Sequence, residues 1–168
     1  MNNLKELSEE EIIKLILEGK VKEADLTDSG ICPTCFDEKN KHVLFGNKED
    51  MLLYEDELFT CFLAGRPRAI GHTIINTKKH YKDMMEADDE ILEKLFVLAK
   101  KVMCNLKEVY NSESIYMCTM CDGPMNHFHI QLIPRYSYEK RGSKNFVKER
   151  QEYKEDKEKI NILRKKLN

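Results

Sequence analysis

No stretch of this 168-residue chain approaches the ~20 consecutive apolar residues that a membrane helix needs, so no spanning segment is expected. Residues 1–11 are acidic and lack the basic region and apolar run of a secretory signal, which makes the cytoplasm the expected location. There is no internal repeat and no low-complexity tract, which excludes solenoids and arrays. Disorder is excluded as well: 41% apolar and 35% charged residues describe a soluble globular protein long enough to bury one real core. These absences decide how the six cysteines are to be read. In a reducing compartment they are not expected to form a disulfide framework, and closely spaced pairs point to metal or catalysis.

The near-neutral formal charge of −2 conceals an asymmetry. From Arg135 to the C-terminus there are 12 basic and 6 acidic residues, against 16 basic and 24 acidic in the rest. A basic tail can recruit nucleic acid or an anionic substrate, but a run of mixed charge is more commonly a solvated helix face. Nucleic acid is not expected as a partner.

Ser8 followed by Glu11 reads as a capping box ahead of Ile12, Ile13, Leu15, Ile16 and Leu17, so a short helix starts there. Residues 25–30 read as a loop. Residues 51–54 and 58–63 are apolar and aromatic runs that suggest a hairpin, and residues 73–77 form a further β-branched run. The strongest periodicity joins Ile91, Leu95, Ala99 or Leu98, Val102, Leu106 and Val109, with Asp88 and Asp89 at the helix N-terminus. It predicts an amphipathic helix of about six turns that packs on something flat. Residues 115–120 and 127–133 are two more strands around a turn at Asp122, Gly123 and Pro124, with Pro134 ending the last. Residues 145–167 read as a long, mostly exposed helix with a thin stripe of Phe146, Tyr153, Ile160 and Leu163. Short connections favour an antiparallel α+β arrangement.

The richest segment runs from Asn126 to Arg135. Strand side chains alternate, so His127, His129 and Gln131 share one face and Phe128, Ile130 and Leu132 the other. Neighbours in the polar row stand roughly 6.6 Å apart, a spacing suited to spanning a phosphate and a metal. Cys32-Pro33-Thr34-Cys35 is the second signal, since a two-residue spacing lets both thiolates bind one tetrahedral ion. A thioredoxin-like redox role would require a strand before the pair and a helix after it, and no such context is visible. A Cys₄ site with Cys118 and Cys121 and a Cys₂His₂ site with two of the five histidines both remain open on spacing alone. Cys61 and Cys104 read as small core residues, and His42 as exposed.

Gly71-His72-Thr73-Ile74-Ile75-Asn76-Thr77-Lys78-Lys79-His80 together with His127-Phe128-His129-Ile130-Gln131-Leu132-Ile133 resembles the histidine-triad (HIT) proteins. The likeness runs from about Cys32 to Arg135. Gln131 stands where the third signature histidine falls, a form similar to the branch that holds galactose-1-phosphate uridylyltransferase and the diadenosine tetraphosphate phosphorylases. The resemblance implies a five-stranded antiparallel meander with a long packed helix, and three segments: an N-terminal helical extension (1–30), a nucleotide-binding domain (31–136) and a charged C-terminal helix (137–168).

The resemblance also implies chemistry at the α-phosphorus of a nucleoside phosphate or dinucleoside polyphosphate, through a nucleotidyl-histidine intermediate. His129 would be the nucleophile and Gln131 its phosphate-contacting neighbour. Phe62, Gly123, Pro124 and Asn126 would bind substrate. A structural zinc would be held by Cys32, Cys35, His80 and His127, which tips the open choice towards Cys₂His₂. His72 is left over as packing or hydrogen-bonded, and Arg66, Arg68, Lys78, Lys79 and Arg135 as surface charges. Relatives that carry a ribose-binding acid place it where this chain has Ala64, and Tyr116 stands near the place of their asparagine. The length leaves no room for the duplicated domain of the uridylyltransferases, so hydrolysis is favoured over transfer. A homodimer is implied; the alternative function is a zinc-stabilised nucleotide-binding or adaptor module.

Overall fold

In the computed structural model, which describes residues 4–40, 42–45, 48–120, 123, 125–154 and 156–168, the first helix begins where its capping pair puts it. The Ser8 N–H donates to the Glu11 carboxylate (2.8 Å) and the Glu11 N–H to the Ser8 hydroxyl (3.3 Å), starting α1 at Glu9–Leu17. Helix α2 (Glu23–Asp28) occupies a stretch whose Asp, Ser and Gly content reads as a loop. Two local facts override that composition. The Lys22 N–H donates to the Asp25 carboxylate at 2.8 Å, and Leu26 is completely buried. Helix α3 (Pro33–Lys39) has Cys32 as its N-cap and Pro33 in its first turn, where the missing N–H has no consequence. Leu4, Ile12, Val21, Leu26 and Phe36 bury together as a small N-terminal core.

After the short α4 (Lys48–Met51), strands β1 (Leu52–Glu55) and β2 (Phe59–Leu63) form the expected hairpin. Asp56 closes it by accepting from the N–H groups of Leu58 (2.8 Å) and Phe59 (2.7 Å). Strands β3 (Thr73–Thr77), β4 (Ser114–Cys118) and β5 (His129–Arg135) complete a five-stranded, wholly antiparallel sheet. Its order is β1-β2-β3-β5-β4, so the last strand lies between β3 and β4 rather than at the edge of a simple meander. Pro134 lies inside β5 and does not end it. Pairing with β3 stops at Leu132, so the missing donor of Pro134 takes no bond from that side.

The long helix α5 (Asp89–Tyr110) presents Leu95, Leu98, Ala99, Val102, Leu106 and Tyr110 to the sheet, as its periodicity predicts. They pack on Phe59, Cys61, Leu63, Ile75, Ile130 and Leu132. Residues on the opposite sheet face are then free to build a site. No helix among the described residues is long and apolar enough to cross a membrane.

The tail corrects an expectation. Instead of one long exposed helix there is a 3-10 turn (Ser143–Phe146), an irregular stretch and α6 (Lys157–Leu167), capped by Asp156. Ile160, Leu163 and Leu167 lie in the main core between α5 and β1, so the chain covers this stripe itself. Burying each such side chain is worth roughly 1.5–3 kcal/mol, far more than the balance of charges around it. Other surface assignments change too. Arg135 is buried against Glu113 (2.7 Å), His42 contacts the Asp37 carboxylate (3.1 Å), and Cys104 is exposed rather than in the core.

Leu163→Ala should destabilise the protein by about 2–5 kcal/mol in urea unfolding. A solvated tail helix would show almost no change.

Candidate functional site

Strand β5 gives the site its backbone. His127 lies two residues before the strand and is buried, held in an extended segment whose Phe128 N–H donates to the Tyr81 carbonyl at 2.8 Å. Within the strand, register sets out two transverse rows on the face away from α5. Phe62, Ile74, Gln131 and Cys118 pair across four strands, and Thr60, Asn76 and His129 across three. Phe62 therefore shares the face of Gln131.

The two rings near the start of β5 are both oriented by main-chain carbonyls. His127 Nε2 lies 2.7 Å from the Thr77 carbonyl oxygen, which can only accept, so Nε2 carries the proton and Nδ1 is left with its lone pair. That lone pair faces sulfur: Nδ1 is 3.5 Å from the Cys32 Sγ and 3.3 Å from the Cys35 Sγ. The Cys35 Sγ is also 3.3 Å from His80 Nδ1. Ligand atoms of Cys32, Cys35, His80 and His127 all lie within 4.8 Å of one another. Helix α3 supplies the cysteines, the segment after β3 supplies His80, and the segment before β5 supplies His127.

These four donors fit a zinc ion. Two sulfurs and two imidazole nitrogens form a common tetrahedral set, and the carbonyl behind His127 is the second-layer contact that fixes a ligating tautomer. Donation from Cys35 pulls the Cys32 thiol well down, while the same shared proton pushes Cys35 up. For His127, burial disfavours the charged ring but is outweighed by the Cys32 sulfur and the Thr77 carbonyl, which raise its pKa. One negative charge is thus shared among groups that a divalent ion would neutralise together. Cys118 stands apart in β4, paired with Gln131, and Cys121 lies outside the described residues. Among the described residues no strand precedes α3, so the redox context is missing here as well.

His129 is the mirror case. Its Nδ1–H donates to the His127 carbonyl at 2.8 Å, which leaves Nε2 as the free nitrogen. The Gln131 amide nitrogen is 3.2 Å from that Nε2 and donates to it. Burial first, then the charges of His127 and Arg150, lower the His129 pKa, so a neutral ring is favoured. His72, completely buried, accepts from the Arg68 N–H at Nδ1 (3.0 Å), so its Nε2 carries the proton on the side of Gln131. Burial and the Arg150 charge bring His72 down to about 4. The leftover histidine is thus a neutral, hydrogen-bonded neighbour of the site. Its Gly-His position before a strand was the available signal.

The remaining sequence-derived residues fall around this pair. Gly123 is exposed with φ +85°, and Pro124 lies outside the described residues. Asn126 donates to the Lys82 carbonyl at 2.6 Å and so ties the turn to the segment after β3. Lys78 and Lys79 pair with Glu55 (2.8 Å) and Asp88 (3.3 Å).

Comparison with known proteins agrees with this fold. The HIT domain family model matches residues 46–138. A HIT-like protein of Borreliella burgdorferi is 30% identical over 102 residues, covering 55% of this chain and 73% of that one. A hypothetical histidine triad nucleotide-binding protein of Sulfolobus tokodaii superposes with a TM-score of 0.63 at 24% identity, covering 81% of this chain and 91% of its own. A zinc-bound histidine triad family protein of Mycobacterium smegmatis gives 0.61 at 21% identity, covering 81% and 92%.

Elemental analysis after zinc loading should find one zinc per chain in the wild type and in Cys118→Ser, and none retained in Cys35→Ser. Zinc kept by Cys35→Ser would rule out this donor set.

Proposed function

Because the chain belongs to the HIT domain family, we propose that it cleaves nucleoside phosphates at the α-phosphorus through a covalent nucleotidyl intermediate on His129. The observation that carries this reading is the His129 tautomer. With its Nδ1–H on the His127 carbonyl, a neutral ring offers Nε2 as a nucleophile near pH 7. Attack forms the N–P bond and breaks the P–O bond to the leaving group, whose bridging oxygen takes the electron pair. The Nδ1–H then holds the positive charge of the substituted ring against the same carbonyl. Gln131, whose amide rests on Nε2, moves its N–H onto a phosphate oxygen as charge gathers there, adding no titrating group. Water then attacks phosphorus, the N–P electron pair returns to Nε2, and a nucleoside monophosphate leaves. Phosphate or a sugar phosphate in place of water would make a phosphorylase or transferase; hydrolysis is the favoured form.

In this reading Phe62 lines the base pocket, and Gly123 and Asn126 bind the phosphate. Zinc held by Cys32, Cys35, His80 and His127 would be structural, since four protein donors would complete its usual set. The chain works in the cytoplasm as a homodimer, for which β4 offers a sheet edge. A second reading, a nucleotide-binding module with little catalysis, draws on Ala64, which supplies no carboxylate for a ribose.

The test is to incubate the protein with ATP, UTP or diadenosine tetraphosphate, quench in alkali and weigh the intact chain. A nucleotidyl adduct should form on the wild type and be absent from His129→Ala, with turnover reduced on the order of 10⁴-fold or more. Gln131→Glu, which replaces the amide donor with an acceptor, should lose about 10²–10³ in rate. No adduct and no turnover across the panel would leave the binding module standing instead.

A further inference from the structure

The loop between β2 and β3 carries Arg66, Pro67 and Arg68, and it is locked against the site by backbone. The Ala64 N–H donates to the His72 carbonyl (2.8 Å), the His72 N–H to the Ala69 carbonyl (3.0 Å), and the Arg68 N–H to the His72 ring. Residues 148–151 of the tail lie across this loop. Arg68 donates to the Lys148 carbonyl, Arg150 Nη1 to the Arg66 carbonyl (3.0 Å), and the Gln151 N–H to the Pro67 carbonyl (2.9 Å). Arg66, Arg68 and Arg150 are thereby gathered at one place.

Their charge is not cancelled. Among the described residues none of the three forms an ion pair, whereas Arg135, Lys78, Lys79 and Lys148 each hold a carboxylate. The Arg68 Nε is buried with no hydrogen-bond partner. Burial and then the neighbouring charge of Arg68 hold the Arg150 guanidinium below its ordinary value. Glu23, at the start of α2, is an opposing charge that reaches both Arg150 and His129. Arg150 acts electrostatically on His129 and His72, and Arg68 on His72 and Cys118, so the cluster flanks the end of the row that contains Gln131. Gathering like charges at this place is unfavourable, and a bound anion would relieve it.

We propose that Arg68 and Arg150, joined by the tail segment 148–151, form a subsite for the phosphorylated leaving group, which makes nucleoside polyphosphates the substrate class. The inference rests on the reading of His129 as nucleophile. When the P–O bond breaks, the leaving phosphate gains one negative charge and the His129 ring one positive charge. The guanidinium forks accept the phosphate charge through paired N–H bonds, which lysines cannot offer in that geometry. Arg150 and Glu23 both lie outside residues 46–138, so this selectivity belongs to the additions at the two ends of the chain.

Two measurements on the full chain test it. Calorimetry with inorganic tripolyphosphate should show binding that weakens about tenfold or more in Arg150→Gln, and little in Lys144→Gln, which removes the same charge elsewhere. Adduct formation from ATP should slow by a similar factor in Arg150→Gln. Formation from adenosine 5′-phosphoramidate, whose leaving group is ammonia, should slow much less, since only the Arg150 charge on the His129 ring is common to both substrates. Arg68→Gln provides a second variant for the binding measurement. Equal slowing on both substrates, or tripolyphosphate binding that Arg150→Gln leaves intact, overturns the subsite. If the wild type forms no adduct from either substrate while the tripolyphosphate result holds, the His129 reading fails and the anion subsite stands.

Discussion

A main-chain carbonyl oxygen can accept a proton but never supply one, and this site depends on two such oxygens. The Thr77 carbonyl at 2.7 Å turns the lone pair of His127 towards the cysteines, and the His127 carbonyl at 2.8 Å turns that of His129 the opposite way. Because both acceptors belong to the backbone, no side-chain rotamer can change the assignment. The condition is that β5 stays in register beside β3. A slip of one residue would exchange the His129–Gln131 face with the Phe128–Ile130 face, burying polar groups in the main core. Register is therefore held by the hydrophobic packing of α5, on the far side of the sheet from the chemistry it protects.

The same segment joins parts of the chain that otherwise share little. The N-terminal core of Leu4, Ile12, Val21, Leu26 and Phe36 is separate from the one beneath α5. Phe36 lies in it, one residue from Cys35, while His80 and His127 come from the segments that follow β3 and precede β5. The Cys₂His₂ cluster is thus a bridge between two cores. It fixes where α2 sits and so where the Glu23 charge falls relative to His129.

What the sequence made legible was whatever is encoded locally. The capping box at Ser8 and Glu11, the stripe of α5 and the alternation around His129 each depend on a few neighbouring residues, and each was readable. The Cys₂His₂ set spans residues 32–127; spacing left it open, the family resemblance tipped it, and the fold brings its ligand atoms within 4.8 Å of one another. Helix α2 escaped because its composition is that of a loop and the burial of Leu26 decides the matter. The strand order escaped because nothing in a run of residues says that β5 inserts beside β3. His72 was visible as a residue but not as a neighbour of Gln131, since that contact is made only across the sheet.

The charge asymmetry is where local reading misled most. Mixed charge along the tail suggests a solvated helix, yet a helix only three turns long can anchor itself if its few apolar side chains meet a deep enough core. Ile160, Leu163 and Leu167 do so, and Arg164 adds donors to the Leu52 and Asp50 carbonyls. Once α6 is fixed on α5 and β1, the segment between it and β5 must cross the molecule, and its path runs over the β2–β3 loop. The position of Arg150 is then a consequence of hydrophobic burial at a distance. The two arginines of the β2–β3 loop thus acquire a third from a tail segment that packing obliges to pass there.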